Sequence, residues 1–435
     1  MLSLFALPSA WAVLEWIRTE IPVWGFGWNL LAYSQSSNLI FASLAGFVGA
    51  YGLSWLILFV NLAFLFLFEF LFRHKKEDGI LALISFLILG TLLSFYFGYQ
   101  LRPAALSKSD TIRIASVQGN IPQEGKWNPE NRDEIIRIYE GLSRFVPAEG
   151  KPDLIVWPEA AFPGYFNLDP KRERILKLSQ ELGVPILLGS PDLEIIRTPR
   201  TVPGTAGTGS QNLSRNVPGT GEVREIPYNS AYLVDKNEII DRYDKIRLVS
   251  FGEYVPWRPF FGLLGLERFA YSLGVSDFEA GKDVKTFSLE DHHFSVLICF
   301  EDTFPFLARR SAEKGAEFLI IMTNDAWFGK SAAPYQHLQA SVFRAVENGI
   351  PVIRSANTGV SAFIDREGRV LDRVKDERGN DTFIAGGLLH PVELGIGAGF
   401  KPAPTAYQKW GYQFPFYCLV FVVISFIVSL RGTSK

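Results

Sequence analysis

An apolar run at residues 51–72 constrains this chain more than any other part of its sequence. The run contains one charged residue, Glu69, and is long enough to cross a lipid bilayer as a helix. The basic cluster Arg73-His74-Lys75-Lys76 comes next, and a second apolar run occupies about 80–101. By the positive-inside rule the short basic loop is cytoplasmic, so the second run is predicted to carry the chain across to the outer face.

The remaining residues divide into two further apolar segments and a soluble part. Residues 2–17 are predicted to form another span, and 18–50 have the mixed aromatic, glycine and polar composition of an interfacial arm, with a plain loop as the alternative. A last span is predicted at about 412–430, after a linker that begins at 396. We therefore expect an N-terminal membrane region over 1–102, a soluble domain over 103–395 on the outer face, and a C-terminal transmembrane helix within 396–435.

Net charge, histidine spacing and cysteine content bear on whether the chain binds nucleic acid or metal and on which thiol could react. The net charge of −2 gives no indication of a nucleic-acid partner. The 5 histidines are scattered without ligand spacing, and we predict neither a metal nor another cofactor. The chain has 2 cysteines, and Cys418 lies in the last apolar run, which leaves Cys299 as the thiol of the soluble part.

Strand and helix patterns alternate through the soluble domain. This alternation predicts an α/β fold in layers, with helices outside stacked sheets. Residues 197–225 are rich in Gly, Thr, Ser, Asn and Pro and are predicted to be a flexible surface insertion. The predicted strands are 111–117, 152–156, 185–190, 230–234, 238–242, 294–298, 317–322, 351–355, 361–364 and 369–374, and the predicted helices are 126–145, 171–182, 305–314 and 333–348.

Cys299 ends the predicted buried strand 294–298 and precedes a helix start. Asp302 or Thr303 is expected to cap that helix, and Pro305 suits its first turn. Backbone N–H groups and the positive end of a helix favour a thiolate at such a junction, which has the geometry of a nucleophile elbow. The alternative interpretation is a small buried thiol without chemistry.

Two other predicted strand ends carry ionisable residues in apolar settings. Glu159 comes after an apolar strand and Trp157-Pro158, and Lys245 lies between Tyr243-Asp244 and Ile246. A thiol nucleophile needs a base, and an apolar pocket raises the pKa of a carboxylate towards that task. A neighbouring lysine keeps the thiolate charged and helps to hold the oxyanion. These residue types form a workable acyl-transfer set, although Glu159 could instead cap a turn and Lys245 could be a solvated charge.

Several motifs resemble those of a known superfamily. Trp-Pro-Glu at 157–159, Asp-Lys-Ile-Arg-Leu-Val-Ser-Phe-Gly-Glu-Tyr-Val-Pro at 244–256 and Ile-Cys-Phe-Glu at 298–301 resemble the Glu-Lys-Cys signature of nitrilases. With Gln-Gly-Asn-Ile-Pro-Gln at 118–123, Thr-Asn-Asp-Ala-Trp-Phe-Gly at 323–329 and the flanking spans, nearly the whole chain is similar to the apolipoprotein N-acyltransferase family. The resemblance implies a nitrilase-like α-β-β-α sandwich inserted between transmembrane helices. It also implies a multi-pass protein of the bacterial inner (cytoplasmic) membrane with its catalytic domain on the periplasmic side.

The same resemblance implies a role for each matched residue. Cys299 would attack an acyl ester of a phospholipid, typically phosphatidylethanolamine, and hold the chain as a thioester. Glu159 would be the general base and Lys245 would stabilise the intermediate, with Glu253 and Glu301 at supporting acidic positions. The α-amino group of the S-diacylglyceryl-cysteine at a lipoprotein N-terminus would then accept the chain in a ping-pong reaction.

The resemblance also implies residues that line the site, and the sequence departs from the family at two points. Trp127 matches a substrate-loop position, and Asn324 with Trp327 matches the active-site wall. Phe300 is predicted with these residues to contact the substrate. It stands where the family usually has a tyrosine, so a hydroxyl that relatives carry beside the nucleophile is missing here. The family usually has further spans ahead of the stretch aligned with residues 1–17, and we expect this chain to be shortened at that end. A membrane-tethered amidase with water as acceptor and a non-enzymatic membrane scaffold are the alternatives.

Overall fold

Two stacked β-sheets form the centre of the soluble domain in the computed structural model. The structure describes residues 2–21, 25–100, 110–146, 150–198, 214–217, 221–256, 265, 277–394 and 403–432. Its strands are β1 (Thr111–Gln118), β2 (Leu154–Val156), β3 (Ile186–Thr198), β4 (Ser214–Val217), β5 (Gly221–Asp235), β6 (Glu238–Asp244), β7 (Thr286–Leu289), β8 (His292–Ile298), β9 (Phe318–Thr323), β10 (Val352–Ala356), β11 (Ala362–Ile364), β12 (Val370–Arg373) and β13 (Gly386–Glu393).

The strand order places parallel strands at the centre of both sheets. The first sheet runs β13-β1-β2-β3-β5-β4, with β6 also paired to β5, and β1, β2 and β3 are parallel. The second runs β12-β11-β10-β9-β8-β7, with β8, β9 and β10 parallel. Central parallel strands are buried on both faces, which is why their sequences are almost continuously apolar. One apolar core between the sheets includes Ile114, Val156, Leu187, Val296, Ile320 and Ile353.

Helices cover the outer face of each sheet. The amphipathic helices α5 (Arg132–Phe145) and α6 (Arg172–Leu182) bury their apolar sides in a cluster on the first sheet. The helices α7 (Pro305–Glu313) and α8 (Ala333–Asn348) do the same on the second sheet. The layers are therefore helix, sheet, sheet and helix, which confirms the predicted α-β-β-α sandwich.

Apolar helices flank this domain at both ends of the chain. The N-terminal region contains α1 (Leu2–Glu20), α2 (Leu39–Ala42), α3 (Ala45–Arg73) and α4 (Lys76–Gln100), and the C-terminal region contains α9 (Ala406–Lys409) and α10 (Phe414–Gly432). Within the described residues, Ala45–Arg73 and Gly411–Arg431 are long and apolar enough to cross a membrane. The predicted spans at 2–17 and 80–101 fall on α1 and α4, and their crossing of a bilayer stays a prediction.

A break near the start of α3 ties the membrane region to the soluble domain. Gly49 leaves the helical conformation with φ 69°, and a Cβ there would lie 2.6 Å from the Tyr407 ring. The next backbone N–H, that of Ala50, donates to Glu347 Oε1 of α8 at 2.8 Å. Glu347 is fully buried and also pairs with Arg344 at 3.0 Å. A buried charged pair on the soluble domain thus satisfies the open end of an apolar helix.

Two local expectations differ from the structure. Pro305 occupies the first turn of α7 as predicted, but the prediction that Asp302 or Thr303 caps this helix is wrong. The Thr303 hydroxyl donates to the Phe300 carbonyl at 2.8 Å, and Asp302 turns inward to a buried charge network. In the segment 197–225, the described residues belong to strands β3, β4 and β5 rather than to a loop, and 199–213 and 218–220 lie outside the described residues.

Candidate active site

The loops that follow several strands meet on the same side of the two sheets, where those strands end. Glu159 comes after β2, Lys245 after β6, Cys299 after β8 and Asn324 after β9. Parallel strands that leave a sheet at the same edge bring their next loops together, and this edge is where α/β proteins place their ligands. The structure therefore brings the residues that the sequence selected into one region.

Glu159 and Lys245 are in direct contact in the interior. The Lys245 ammonium lies 3.4 Å from Glu159 Oε1 and 2.9 Å from Glu253 Oε1, and its side chain is 1% exposed. Burial alone would lower the pKa of Lys245, but the Glu253 and Glu159 carboxylates outweigh it and raise that pKa. The lysine therefore stays charged between two carboxylates.

Asn229, which sequence reasoning missed, joins the same two carboxylates. Its Nδ2 donates to Glu159 Oε1 at 2.8 Å and to Glu253 Oε1 at 2.7 Å. The backbone N–H of Asn324 donates to the other oxygen of Glu159 at 2.9 Å. The predicted strand begins at residue 230, so Asn229 lay outside it, and no sequence signal marked this residue as part of β5. Glu159 is thus held by three kinds of donor, an ammonium, an amide side chain and a backbone N–H.

Cys299 is the first residue of a short 3-10 helix, Cys299–Thr303, which directly follows β8. Its φ of 54° is left-handed, which is strained for a residue with a side chain. Burial, and then the Glu159 charge, raise the pKa of the Cys299 thiol well above its usual value, while the Lys245 charge acts in the opposite direction. The left-handed turn has the geometry of the predicted elbow, whereas burial favours the protonated thiol over the predicted thiolate.

Glu301 connects the cysteine loop to the lysine loop. Its carboxylate accepts from the backbone N–H of Ile298 at 2.8 Å, of Ile246 at 2.7 Å and of Arg247 at 3.0 Å. The Tyr243 hydroxyl donates to it at 2.8 Å. One fully buried carboxylate therefore holds the residues before Cys299 and after Lys245 in a fixed relation.

A glycine lies directly beneath the Glu159 loop. A Cβ on Gly189 would lie 2.6 Å from the Cα of Glu159 and 2.6 Å from the Pro158 carbonyl oxygen. Ala160, the residue after the acid, has a left-handed φ of 49°, so the loop is tightly bent where it crosses the glycine. Only a residue without a side chain leaves room for this crossing.

Gly189→Ala is therefore expected to displace Glu159 and to destabilise the protein by about 1–3 kcal/mol. Any acyl-enzyme formation should fall together with stability, because the predicted base moves relative to Cys299. Thermal unfolding of the purified protein measures the first effect. Gly141→Ala is the control, since nothing lies within 4 Å of a Cβ there and the helical site predicts unchanged or slightly higher stability. Equal behaviour of the two variants would contradict this account of Gly189.

A buried charge network behind Cys299 was also missed from the sequence. His337 Nε2 lies 2.9 Å from Asp302 Oδ1 and 3.3 Å from the Cys299 carbonyl oxygen, and its Nδ1 lies 2.9 Å from Asp325 Oδ1. Arg354 bridges Asp302 and Asp325 with contacts of 3.0 Å. Burial and Arg354 lower the pKa of His337, but the two aspartates raise it to about 9. This paired network supports the backbone of the elbow.

The predicted wall residues differ in how they are held. The Asn324 side chain donates to Gln123 Oε1 at 2.9 Å and accepts from Asn357 at 2.9 Å, so it fastens the 118–128 loop. Phe300 is 8% exposed, whereas Trp127 is 47% and Trp327 is 70% exposed. The two tryptophans therefore present apolar surface to their surroundings.

Lys126 is a further buried cation near the predicted base. Its side chain is 1% exposed, and its ammonium has no hydrogen-bond partner among the described residues. Burial lowers the pKa of Lys126 to about 8, and the Glu159 charge opposes this. No local pattern separates this lysine from the solvated ones. Within the described part of the chain, no group of three or more His, Cys, Asp or Glu is arranged to hold a metal ion.

Comparison with known proteins assigns the soluble domain to a family. Residues 113–386 match the carbon-nitrogen hydrolase family, which agrees with the stacked sheets and the confirmed fold class. An amidase structure from Nesterenkonia sp. is similar at 18% identity and a TM-score of 0.43, over 71% of this chain and 96% of that one. Residues 1–63 match the apolipoprotein N-acyltransferase N-terminal domain.

Curated relatives narrow the class further. An apolipoprotein N-acyltransferase from Geobacter metallireducens is 34% identical over 438 residues, covering 99% of this chain and 75% of that relative. One from Brucella melitensis biotype 1 is 34% identical over 84% of this chain, which spans 64% of that relative's length. The chain belongs to the apolipoprotein N-acyltransferase family, an acyltransferase family within the carbon-nitrogen hydrolases. The predicted resemblance is confirmed.

Proposed function

We propose that this protein transfers a fatty acyl chain from a phospholipid to the N-terminal amine of S-diacylglyceryl-cysteine on apolipoproteins, through a thioester on Cys299. The observation that supports this most directly is the contact of Lys245 with Glu159 and Glu253 beside the Cys299 elbow. Membership of the family supports the choice of substrates, and the geometry of the site supports the reaction.

In the first half-reaction, Glu159 takes the proton of the Cys299 thiol as the sulfur attacks the ester carbonyl carbon. The Lys245 ammonium stabilises the resulting oxyanion, because a buried cation interacts strongly with negative charge that develops next to it. Collapse of the intermediate breaks the ester C–O bond and forms the thioester. The leaving alkoxide takes the proton from Glu159 and departs as lysophospholipid.

In the second half-reaction, the neutral α-amine of the acceptor attacks the thioester carbonyl carbon. Glu159 accepts a proton from the attacking nitrogen, and Lys245 again stabilises the oxyanion. The C–S bond breaks, the sulfur regains a proton from Glu159, and the acceptor leaves with a new amide. A single base that serves both halves is consistent with ping-pong kinetics.

The chemistry is tested by the intact mass of the protein after exposure to phosphatidylethanolamine without acceptor. We expect one hydroxylamine-sensitive acyl adduct, mapped to the peptide of Cys299. Cys418→Ser is the matched control, because it removes the other cysteine and should keep the adduct. A scaffold without activity predicts no adduct. An amidase-like hydrolase predicts free fatty acid and an unmodified peptide amine when a diacylated lipoprotein peptide is added.

The membrane placement is part of the proposal. The two apolar helices identified above and the basic loop Arg73–Lys76 support a multi-pass protein of the inner membrane, with the sandwich on the periplasmic side. Both lipid substrates would then meet the site from the outer leaflet. A cysteine introduced at Glu124 should react with a membrane-impermeant thiol reagent once the outer membrane is opened, and one at Lys75 should not. The reverse labelling would contradict this orientation.

A further inference from the structure

The Lys126 ammonium is an interior positive charge that the described part of the chain leaves without a hydrogen bond. Lys126 is 1% exposed, and its Nζ atom has no hydrogen-bond partner among those residues. Burial of a charged group without such a partner destabilises a folded protein, and lysine is therefore rarely found in this situation. A lysine that is kept there at a cost in stability indicates a role for its charge rather than for its packing.

The loop that carries Lys126 is bound to the residue that holds Glu159. The Lys126 N–H donates to the Gln123 carbonyl at 3.4 Å. The Gln123 side chain accepts from the Asn324 amide at 2.9 Å, and the backbone N–H of Asn324 donates to the Glu159 carboxylate at 2.9 Å. A short series of hydrogen bonds therefore connects the Lys126 backbone to the Glu159 side chain.

The carboxylates around Glu159 outnumber the cations that contact them. Glu159 and Glu253 share one ammonium, that of Lys245, at 3.4 and 2.9 Å. They also share the Asn229 amide, which carries no charge. One ammonium between two carboxylates leaves a negative charge uncompensated, and like charges in a buried site disfavour each other's ionised form. A protonated Glu159 could not accept the proton of Cys299.

Lys126 supplies a second positive charge near the same carboxylate. The Glu159 charge favours the ammonium form of Lys126 against the effect of burial, so the two charges act on each other without a hydrogen bond between them. The titratable groups that surround Glu159 come from several loops. They are Lys126, Lys245, Glu253 and Cys299, with Glu301 near Lys245 and Asp325 near Cys299.

From this arrangement we infer that Lys126 is a second cation of the active site, which keeps Glu159 in the anionic form that accepts the proton of Cys299. Lys126 is a positioning residue in this account, because it acts through Glu159. The inference rests on the proposed function, in which Glu159 is the base. It gives the two interior lysines different roles, since Lys245 stabilises the oxyanion and Lys126 compensates the charge of the base.

The first test is the pH dependence of acyl-adduct formation on Cys299 from dipalmitoyl-phosphatidylethanolamine without acceptor. Lys126→Met is expected to lower the rate about 10-fold at pH 6, the size of effect that one nearby opposite charge has on the ionisation of a carboxylate. Burial lowers the pKa of Lys126 to about 8, so its charge is present at pH 6 and is lost at higher pH. The rates of the variant and the unmodified protein should therefore converge at pH 9. Lys126→Arg keeps the charge and should keep most of the rate at pH 6.

The second test is thermal unfolding of the same variants. Lys126→Met should be as stable as the unmodified protein or more stable, because it removes a buried charge that has no hydrogen bond. A purely structural lysine predicts the opposite, a loss of stability together with a loss of rate at every pH. Lys177→Met is the matched control, since Lys177 is exposed on α6 and its loss should change neither stability nor the pH profile.

Three results would contradict the inference. One is a rate ratio between unmodified protein and folded Lys126→Met that does not change with pH. Another is a loss that occurs with phosphatidylethanolamine but not with p-nitrophenyl palmitate, which would assign Lys126 to the phosphate of the donor. A third is lower stability of Lys126→Met at an unchanged rate. If Lys126→Met does not fold, Lys126→Gln supplies the comparison. Absence of any adduct in the unmodified protein would instead reject the proposed function.

Discussion

Glu159→Gln is expected to slow thioester formation on Cys299 by about 1,000-fold, because it removes the proposed proton acceptor from a thiol whose pKa is raised by burial. In the unmodified protein the Asn324 N–H donates to the Glu159 carboxylate at 2.9 Å. A glutamine whose NH2 group faces Asn324 cannot accept this hydrogen bond, so the substitution also removes a contact that holds the side chain. Rapid-quench measurement of the acyl adduct gives the rate directly. The residual rate should rise with pH, because hydroxide then generates the thiolate that Glu159 no longer forms.

Glu253→Gln separates base catalysis from charge balance. Glu253 contacts the same lysine at 2.9 Å and the same asparagine at 2.7 Å, so its loss changes the charge of the site by the same amount. We expect a smaller loss of rate, with the pH dependence of the unmodified protein retained. Equal losses and equal pH profiles in the two variants would show that Glu159 acts as a counter-charge rather than as the base.

Arg354→Met is expected to cost about 3–5 kcal/mol of unfolding free energy, because it leaves two buried aspartates without their shared cation. Asp302, Asp325 and Arg354 are all 0% exposed, and the arginine contacts both carboxylates at 3.0 Å. Chemical unfolding of the purified protein provides the measurement. Arg366→Met is the control, because Arg366 pairs with Glu367 where both side chains are more than 40% exposed, and it should change stability by less than about 0.5 kcal/mol.

The same network predicts how stability depends on pH. The pKa of His337 is about 9 in the folded protein, above the ordinary value of 6.5. A histidine with a raised pKa contributes stability that is fully present below pH 6.5 and is lost as the pH rises through about 9. The unmodified protein should therefore lose stability across this range. A flat profile, or an Arg354→Met variant as stable as Arg366→Met, would contradict the network's proposed role.

The proposed catalytic trio and the layered fold could be predicted from the sequence because each depends on local patterns. Glu159 and Cys299 come after strands that are recognisable from their apolar residues, and parallel strands place their next loops at a common edge. The residues that hold them were not predictable in this way. Asn229 meets Glu159 only because β5 pairs with β3 in one register, and a shift of one residue would point it to the other face.

Two further misses have different physical causes. Arg354 lies within an apolar strand, which signals a buried partner but does not identify it, because Asp302 and Asp325 reach it from other loops. The contact of Phe26 with Phe300 joins segments that are far apart in the chain, and no local pattern encodes it. The resting state of the Cys299 thiol depends on how deeply the elbow is buried, which strand and helix signals do not report.

The hydrogen bond from Ala50 to Glu347 has a consequence for which lipid ester bonds the enzyme can reach. The hydrogen bond from Ala50, directly after the break in α3, to a buried carboxylate of the sandwich fixes the rest of this helix against that domain. Under the proposed membrane placement, the sulfur would then reach ester bonds at one depth of the leaflet. Lipids whose ester linkages lie deeper or shallower would be passed over, whatever their headgroup.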